Sequence, residues 1–308
     1  MKREGLDPRT RVGALVVQPP DIGGRLVRLI GQCVVLLGLE KVYEASRGLI
    51  PQQDDVARQH GLFVVSIEKS WHIFDEWRMQ QVVLSPDHWS LGPLSLDRAT
   101  LIAALNHFYL YSHVVGTCIV LVWLYLFRRR SFPFVRNVIV LTTALALAIY
   151  ILFPMMPPRL MGDQMQVPDG YHIVDTLATL LTDQGRQGQL GYNPYAAMPS
   201  LHFAWALIVG GTLLRVGRRQ LLRLAGLLYP IAMLVTILVS GNHLLLDAAG
   251  SLVVVAVATG TAVLAQRWVD RRHGALIPWR SGNKPAARGV AALMERGHRR
   301  HQHVEGQL

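Results

Sequence analysis

Charged residues are scarce in this chain of 308 amino acids. Asp, Glu, Lys and Arg make up 17% of it, whereas 51% is hydrophobic and the mean hydropathy is +0.28. That balance is unusual for a soluble domain. The apolar residues lie in continuous runs, several of which approach the roughly 20 residues that a helix needs to cross a bilayer. The sequence therefore predicts an all-α integral membrane protein.

Cysteine and acidic residues are also few. Cys33 and Cys118 are the two cysteines, and each lies within an apolar run, which favours buried apolar side chains over a disulfide. Lys and Arg number 31 against 20 Asp and Glu, so the formal charge is +11. The arginines cluster in short segments between apolar runs, without aromatic–basic interleaving or a reader motif. Nucleic acid is therefore not expected as a partner.

Six apolar runs predict a bundle of six membrane helices. They cover roughly residues 26–43, 107–127, 135–153, 199–214, 221–239 and 244–265. Arginine-rich segments precede the first run, link the second to the third and the fourth to the fifth, and follow the sixth. All four segments then lie on one side, which the positive-inside rule makes cytoplasmic. We expect a multi-pass protein of the cell (plasma) membrane with both termini in the cytoplasm.

Five regions follow from this topology. They are a basic cytoplasmic N-terminus at 1–25, the first membrane helix and its connection at 26–53, an extracytoplasmic interfacial amphipathic segment at 54–105, a catalytic membrane core at 106–265, and a basic, partly disordered cytoplasmic tail at 266–308. Between 54 and 84, tryptophans and other apolar residues mix with charged ones. We expect one or two helices there, either in the membrane interface with their tryptophans at headgroup level or packed on the bundle as a cap.

Polar residues near the predicted outer ends of the membrane helices are candidates for function, because ionisable groups are costly there. The first cluster is Pro157-Pro158-Arg159, which follows the third helix. Two prolines end a helix and stiffen the chain, and a guanidinium suits bidentate recognition of phosphate. The alternative is an arginine that only reaches toward water at the interface. Arg159 is therefore a candidate phosphate-binding residue.

The second cluster spans residues 193–202, from Asn193 to His202. Proline suits the first turn of a helix, so the fourth helix is predicted to begin at Pro199. Free backbone N–H groups and the Ser200 hydroxyl would then face the outer surface, which is an arrangement that binds anions. His202 would follow within the same turn.

The third cluster runs from Ser240 to Asp247 and includes Asn242 and His243. A histidine and an aspartate at positions i and i+4 share one face of a helix. The aspartate can then hold one imidazole nitrogen protonated and leave the other to attack, as in a catalytic triad. A pair that serves only packing is the alternative.

A fourth group lies on the second helix, where Asn106, Tyr109 and His113 are spaced by three and four and so share one face. His113 could line the floor of a site or bind an acceptor molecule. It could equally form a hydrogen bond between helices.

The order of these motifs resembles the type 2 phosphatidic acid phosphatase superfamily. The strings at 156–159, 193–202 and 241–247 look like those of its inositol phosphorylceramide synthase-type branch. That branch also has residues similar to Glu68, Glu76, Gln80 and Asp175-Thr176 at the matching positions. The resemblance implies that His243 attacks phosphorus and forms a phosphohistidine-type intermediate, while Asp247 orients it. His202 would protonate the leaving alcohol and then deprotonate the acceptor.

The same resemblance implies a lipid phosphate substrate, an alcohol, polyol or water acceptor and no metal or other cofactor. Phosphoryl oxygens would be held by Arg159, Ser200 and backbone N–H groups, in a site at the extracytoplasmic face. The chain departs from the superfamily in three ways. Leu201 replaces a glycine, Ile237 replaces an arginine, and the lysine of the first motif has no clear equivalent, because the third helix is apolar before Pro154. Loss of that arginine places more of the phosphate binding on Arg159 and favours the synthase-like branch over a simple phosphatidate or polyprenyl phosphatase.

Three other functions fit some of these residues. A metal-dependent hydrolase could bind zinc through His202, His243 and Asp247. A serine hydrolase could use Ser200 as nucleophile, although the chain lacks a Gly-x-Ser-x-Gly elbow. A transporter or a non-enzymatic scaffold could also carry intramembrane His and Asp, but the ionisable groups gather at one face and no two halves repeat.

Overall fold

A computed structural model describes residues 54–91, 94–178 and 195–273, together with Ile30, Gly31 and Gly38. The chain divides into two compact units, Met1–Val42 and Tyr43–Leu308, and every element below belongs to the second. The described part is mostly helical, as predicted. Apart from the three isolated positions, the predicted first membrane helix lies outside the described residues, and so does the tail beyond residue 273.

Two helices and a hairpin precede the long apolar helices. Helix α1 spans Asp54–Ser70 and α2 spans Glu76–Leu84, which agrees with the helices predicted between 54 and 84. Strands β1, His88–Leu91, and β2, Leu94–Asp97, then pair in an antiparallel hairpin. The hairpin corrects the prediction of an all-α fold, since strands of four residues are too short to give a clear alternating pattern.

The remaining helices form the bundle. They are α3, Arg98–Phe127; α4, Phe132–Leu152; the short α5, Pro158–Met161; α6, Leu201–Val216; α7, Gln220–Val239; and α8, Leu245–His273. Among the described helices α3, α4, α7 and α8 are long and apolar enough to cross a membrane, which indicates a membrane protein. Helix α6 is apolar but has only 16 residues.

Two helix boundaries differ substantially from the predicted ones. Helix α3 begins at Arg98 rather than near His107, because the side chain of Asp97 caps it by accepting a hydrogen bond from the Thr100 N–H. His113 therefore lies near the middle of α3 and not close to its start. Helix α8 continues to His273, so the first residues assigned to the cytoplasmic tail are helical.

Helix α6 is central to the bundle and packs against α3, α4, α7 and α8. Its backbone approaches that of α7 so closely that a Cβ atom on Gly210 would lie 2.4 Å from the Gly226 carbonyl oxygen. Small residues at a helix crossing let the two backbones meet in this way. The close crossing holds α6 against α7 near the loop that joins the two helices.

Helices α1 and α2 pack on one end of this bundle, against α8 and α7 respectively. The ring nitrogen His60 Nδ1 lies 2.8 Å from the Pro154 carbonyl oxygen, just after α4. Trp71 is 62% exposed, but Trp77 is buried and donates a hydrogen bond to the Phe74 carbonyl. Of the two alternatives for this segment, the burial of Trp77 fits helices packed on the bundle and not a tryptophan at headgroup level, since the ring is part of the core.

Candidate functional site

His243 lies between α7 and α8, and its ring is held by two oxygen atoms. Its Nδ1 is 2.9 Å from the Ala197 carbonyl oxygen and 3.3 Å from Asp247 Oδ2. A carbonyl oxygen only accepts hydrogen bonds, so Nδ1 carries the hydrogen and Nε2 of the neutral ring holds the free lone pair. Nε2 is buried, and no group in the described part of the chain forms a hydrogen bond with it. A nucleophile or general base needs such an atom.

The pairing of His243 with Asp247 forms although α8 begins only at Leu245, so the two residues do not share a helix face as predicted. Gly241 turns the chain after α7 with a φ of +67°, a conformation that side chains disfavour. A Cβ atom there would also lie 3.3 Å from that of Arg159. Asp247 Oδ2 accepts a hydrogen bond from the Leu244 N–H at 2.9 Å. One carboxylate thus holds both the start of α8 and the histidine ring.

Arg159 lies on α5, and its side chain is 5% exposed. Its Nε donates to Asn242 Oδ1 and its Nη1 to Asp175 Oδ2, each at 2.9 Å, while its backbone N–H donates to the Gly241 carbonyl. The guanidinium is therefore fixed beside the segment that carries His243. These contacts exclude an arginine that merely reaches for water at the interface.

Ser200 caps the start of α6. Its Oγ accepts a hydrogen bond from the Phe203 N–H at 3.4 Å, and the residue is fully buried. Helix α6 begins at Leu201, two residues after the predicted start at Pro199. The prediction that the Ser200 hydroxyl faces the outer surface is wrong, because this oxygen accepts the Phe203 N–H of α6. The Ser200 N–H also donates to the Asp247 carbonyl, which ties α6 to the start of α8.

His202, in the first turn of α6, lies in a cluster of rings. It stacks on Tyr109 with 4.0 Å between ring centroids and meets His113 edge-on at 4.2 Å. Its centroid is 6.1 Å from that of His243, and Tyr109 lies 6.3 Å from the same ring. Tyr109 and His113 of α3 thus both contact His202 of α6, and His113 Nδ1 lies 3.2 Å from the Tyr109 carbonyl oxygen of its own helix. Its predicted role at the floor of the site or in binding an acceptor stays a prediction.

Buried amides fasten the loop that carries Asp175. Asn106 Nδ2 donates to the Thr176 carbonyl at 2.5 Å, and the Thr176 hydroxyl donates back to Asn106 Oδ1 at 3.1 Å. Gln80 Nε2 donates to the Val174 carbonyl, and its Oε1 accepts from the Val174 N–H at 2.7 Å. Asp175, and through it Arg159, is therefore positioned from both α2 and α3.

Two glutamates bind the first residues of α8. Glu76 Oε1 accepts from the Leu245 N–H, and Glu68 Oε1 from the Leu246 N–H, each at 2.7 Å. Burial raises the pKa of both carboxyls, that of Glu68 to about 9. The resemblance pointed to both residues but gave neither a role. Glutamates on an amphipathic helix are normally expected to face water, so their burial was not predicted.

The structure brings most of the predicted site residues to one end of the bundle. These are Arg159, Ser200, His202, Asn242, His243 and Asp247, with Tyr109 and His113 beside them. Asn193 lies outside the described residues. Within the described ranges, no group of three or more His, Cys, Asp or Glu side chains is arranged to hold a metal ion. The zinc hypothesis thus gains no geometric support.

Comparison with known proteins gives one match. A model of the PAP2 superfamily matches residues 65–261, from within α1 through most of α8. Arg159, His202, His243 and Asp247 all lie within the match. No curated protein and no solved structure matches the chain. Because the match covers well over half of the sequence, the chain belongs to the PAP2 superfamily, a membership that indicates phosphatase or phosphotransferase activity.

Proposed function

We propose that the protein is a lipid phosphotransferase or phosphatase that works through a phosphohistidine on His243. One observation carries this proposal: Nδ1 of His243 is held by the Ala197 carbonyl and Asp247, whereas Nε2 is buried with a free lone pair. An imidazole fixed in this tautomer is oriented for attack through Nε2.

In the first step Nε2 of His243 bonds to phosphorus, the bond from phosphorus to the lipid alcohol oxygen breaks, and His202 donates a proton to that oxygen. In the second step His202 removes a proton from water or an acceptor alcohol, whose oxygen attacks phosphorus. The N–P bond then breaks and the lone pair returns to Nε2. Asp247 stabilises the imidazolium in between. Neither step requires a metal or another cofactor.

Arg159 is the cation proposed to hold the phosphoryl oxygens as negative charge develops on them. Asn242 and Asp175 hold its guanidinium in place. Where the superfamily has a further arginine, this chain has Ile237, whose side chain is fully buried in the core. Arg159 would therefore bind more of the phosphoryl charge alone. The missing second arginine supports the inositol phosphorylceramide synthase-like branch.

The distribution of charge supports an active site at the extracytoplasmic face of the plasma membrane. Site residues follow α4 and α7 and begin α6 and α8, all at one end of the bundle. The arginines lie at the opposite helix ends, at positions 128–130 and 136, 215–223 and 267–272. If the arginine side is cytoplasmic, the six-span topology places both termini inside and His243 outside.

The test of this proposal is turnover of a panel of lipid donors by the purified protein in detergent with EDTA. The panel contains inositol phospholipids, phosphatidate and polyprenyl phosphates and diphosphates, with and without acceptor alcohols, and products are identified by mass spectrometry. Free phosphate or a phospho-head group indicates water as acceptor, and a phosphorylated alcohol indicates a transferase. Activity abolished by EDTA and restored by zinc would favour the metal hydrolase. No turnover of any donor would favour a transporter or scaffold.

Replacement of the guanidinium gives one sharp prediction. Arg159→Lys keeps the positive charge but cannot donate to Asn242 and Asp175 from one rigid fork. We expect kcat to fall by about 10²- to 10³-fold, as for loss of one donor to a developing oxyanion. The matched control is Arg78→Lys, since Arg78 is an exposed arginine that pairs with the exposed Asp75 and lies over the Trp77 ring. Wild-type kcat in Arg159→Lys would exclude this role.

Ser200→Ala distinguishes the histidine from the serine mechanism. The hydroxyl oxygen caps α6, so its removal is expected to cost about 1 kcal/mol of stability. The histidine mechanism predicts that kcat falls by less than about tenfold, because no bond to phosphorus involves this oxygen. Complete loss of turnover in a folded Ser200→Ala protein, beside an unaffected Ser66→Ala control on the surface of α1, would instead identify Ser200 as the nucleophile.

A further inference from the structure

Two glutamates far from His243 in sequence meet the chain just after it. Glu68 belongs to the last turn of α1 and Glu76 begins α2, and both residues are almost completely buried. Their Oε1 atoms accept the N–H groups of Leu246 and Leu245. The first N–H groups of a helix have no partner within the helix, so these carboxyls supply what the start of α8 lacks.

The position of this contact links it to the site. Leu245 comes two residues after His243, and Asp247 lies in the same first turn. Any shift of the first turn of α8 would therefore move the carboxylate that holds the His243 ring. Negative charge at the start of a helix is also favoured by the helix dipole.

The second oxygen of each carboxyl points to a shared proton. Glu68 Oε2 and Glu76 Oε2 are buried, and no hydrogen-bond partner for either is found in the described part of the chain. Because the two Oε1 atoms accept from the N–H groups of consecutive residues, the two carboxyls lie side by side, and the charge of each acts on the other. Two carboxylate oxygens repel one another unless one carries a proton, so a neutral acid donating to a carboxylate is the arrangement that fits.

The surrounding charges favour the same state. Burial is the main cause that raises the pKa of Glu68 to about 9, and the charge of Glu76 is the next. Asp247 on α8 adds a further repulsion to both glutamates, and its partner His243 presents Nδ1–H to it rather than to them. The N–H groups of Leu245 and Leu246 act in the opposite direction.

We propose that Glu68 and Glu76 share one proton at neutral pH and, in that form, are positioning residues that hold the start of α8 and thereby the His243–Asp247 pair. The link to catalysis rests on the function proposed for His243. Loss of the shared proton would leave two facing carboxylates beside Asp247 in a buried space. Repulsion among them would release the contacts to Leu245 and Leu246.

The experiment compares the pH dependence of kcat for the wild type and Glu68→Gln across neutral and alkaline pH. Glutamine has the shape of the neutral acid, so its amide can donate to Glu76 and its oxygen can accept from Leu246, but it cannot ionise. The wild type is expected to lose activity as pH rises through about 9. Glu68→Gln is expected to retain activity within a few-fold at neutral pH and to lack this alkaline fall.

Two controls separate this role from general stability. Glu68→Leu leaves the Leu246 N–H without a partner and is expected to be inactive. Activity in Glu68→Gln would then show that a neutral hydrogen-bonding side chain is sufficient at this position. Asp54→Asn, an exposed change on α1, is expected to keep the wild-type pH profile. An alkaline fall that persists unchanged in Glu68→Gln would overturn the proposal.

Thermal unfolding tests the shared proton independently of activity. A carboxyl whose pKa is raised from 4.5 to about 9 in the folded protein contributes stability that is complete below pH 4.5 and is lost as pH rises toward 9. The melting temperature of Glu68→Gln relative to the wild type is thus expected to increase across this window. If the wild type proves inactive on every donor, the function proposed for His243 fails, but the difference in melting temperature still tests whether the two glutamates share a proton. A difference that stays constant with pH would overturn the shared proton.

Discussion

His243→Ala is expected to lower kcat by at least about 10⁴-fold, because it removes the atom that forms the bond to phosphorus. Residual turnover would come from Arg159 and the remaining polar groups. Binding of the lipid is expected to change little, since the Nε2 atom contacts substrate only when the bond forms. The measurement is single-turnover kinetics with the best donor found in the panel.

A chemical signature accompanies the kinetic one. During turnover of a radiolabelled donor, the wild type is expected to accumulate a phosphoramidate that is stable in alkali and labile in acid. His243→Ala should yield none, whereas the matched control His107→Ala, an exposed histidine on α3, should behave as the wild type. Labelling of the wild type at a serine, or equal labelling of His243→Ala, would contradict the histidine mechanism.

His202→Ala is expected to lower kcat by about 10²- to 10⁴-fold, the range typical of a general acid–base group. The loss should depend on the leaving group. With an activated phosphate ester, whose alcohol leaves without protonation, formation of the phosphohistidine should return close to the wild-type rate. Transfer to water or alcohol should stay slow, because the same residue must deprotonate the acceptor.

The control for this variant is His172→Ala, since His172 is an exposed histidine whose ring pairs with the exposed Asp163. It is expected to show wild-type rates with both types of substrate. If His202→Ala slows natural and activated donors equally in the first step, the residue does not act as a proton donor. The stacking with Tyr109 would then be its contribution, through the shape of the site.

The sequence identified the catalytic candidates because their signals are local. Residues four apart are neighbours in a helix, and the turn that leads into α8 keeps His243 within 3.3 Å of Asp247 although the helix begins at Leu245. Asp247 also binds the Leu244 N–H, so a single local interaction secures both. Pro199 likewise marked the start of α6, which begins at Leu201, to within two residues.

Burial of polar groups was harder to predict from the same signals. Ser200 was recognised near a helix start, but its environment depends on α8. The Ser200 N–H donates to the Asp247 carbonyl, and the Ser251 hydroxyl donates to the Ser200 carbonyl. Trp77 was expected near lipid headgroups, yet α2 turns it into the core. In each case a neighbour distant in the sequence decided the outcome.

By itself the sequence determined the membrane class, the long apolar helices of the described part and the histidine, aspartate and arginine of the candidate site, since composition, periodicity and short motifs express these directly. Only the tertiary structure decided which partners those residues have. Glu76 reaches Leu245 across 169 positions and Glu68 reaches Leu246 across 178. Contacts at such separations leave no periodic trace in a single sequence, because they arise when α1 and α2 fold back onto the start of α8.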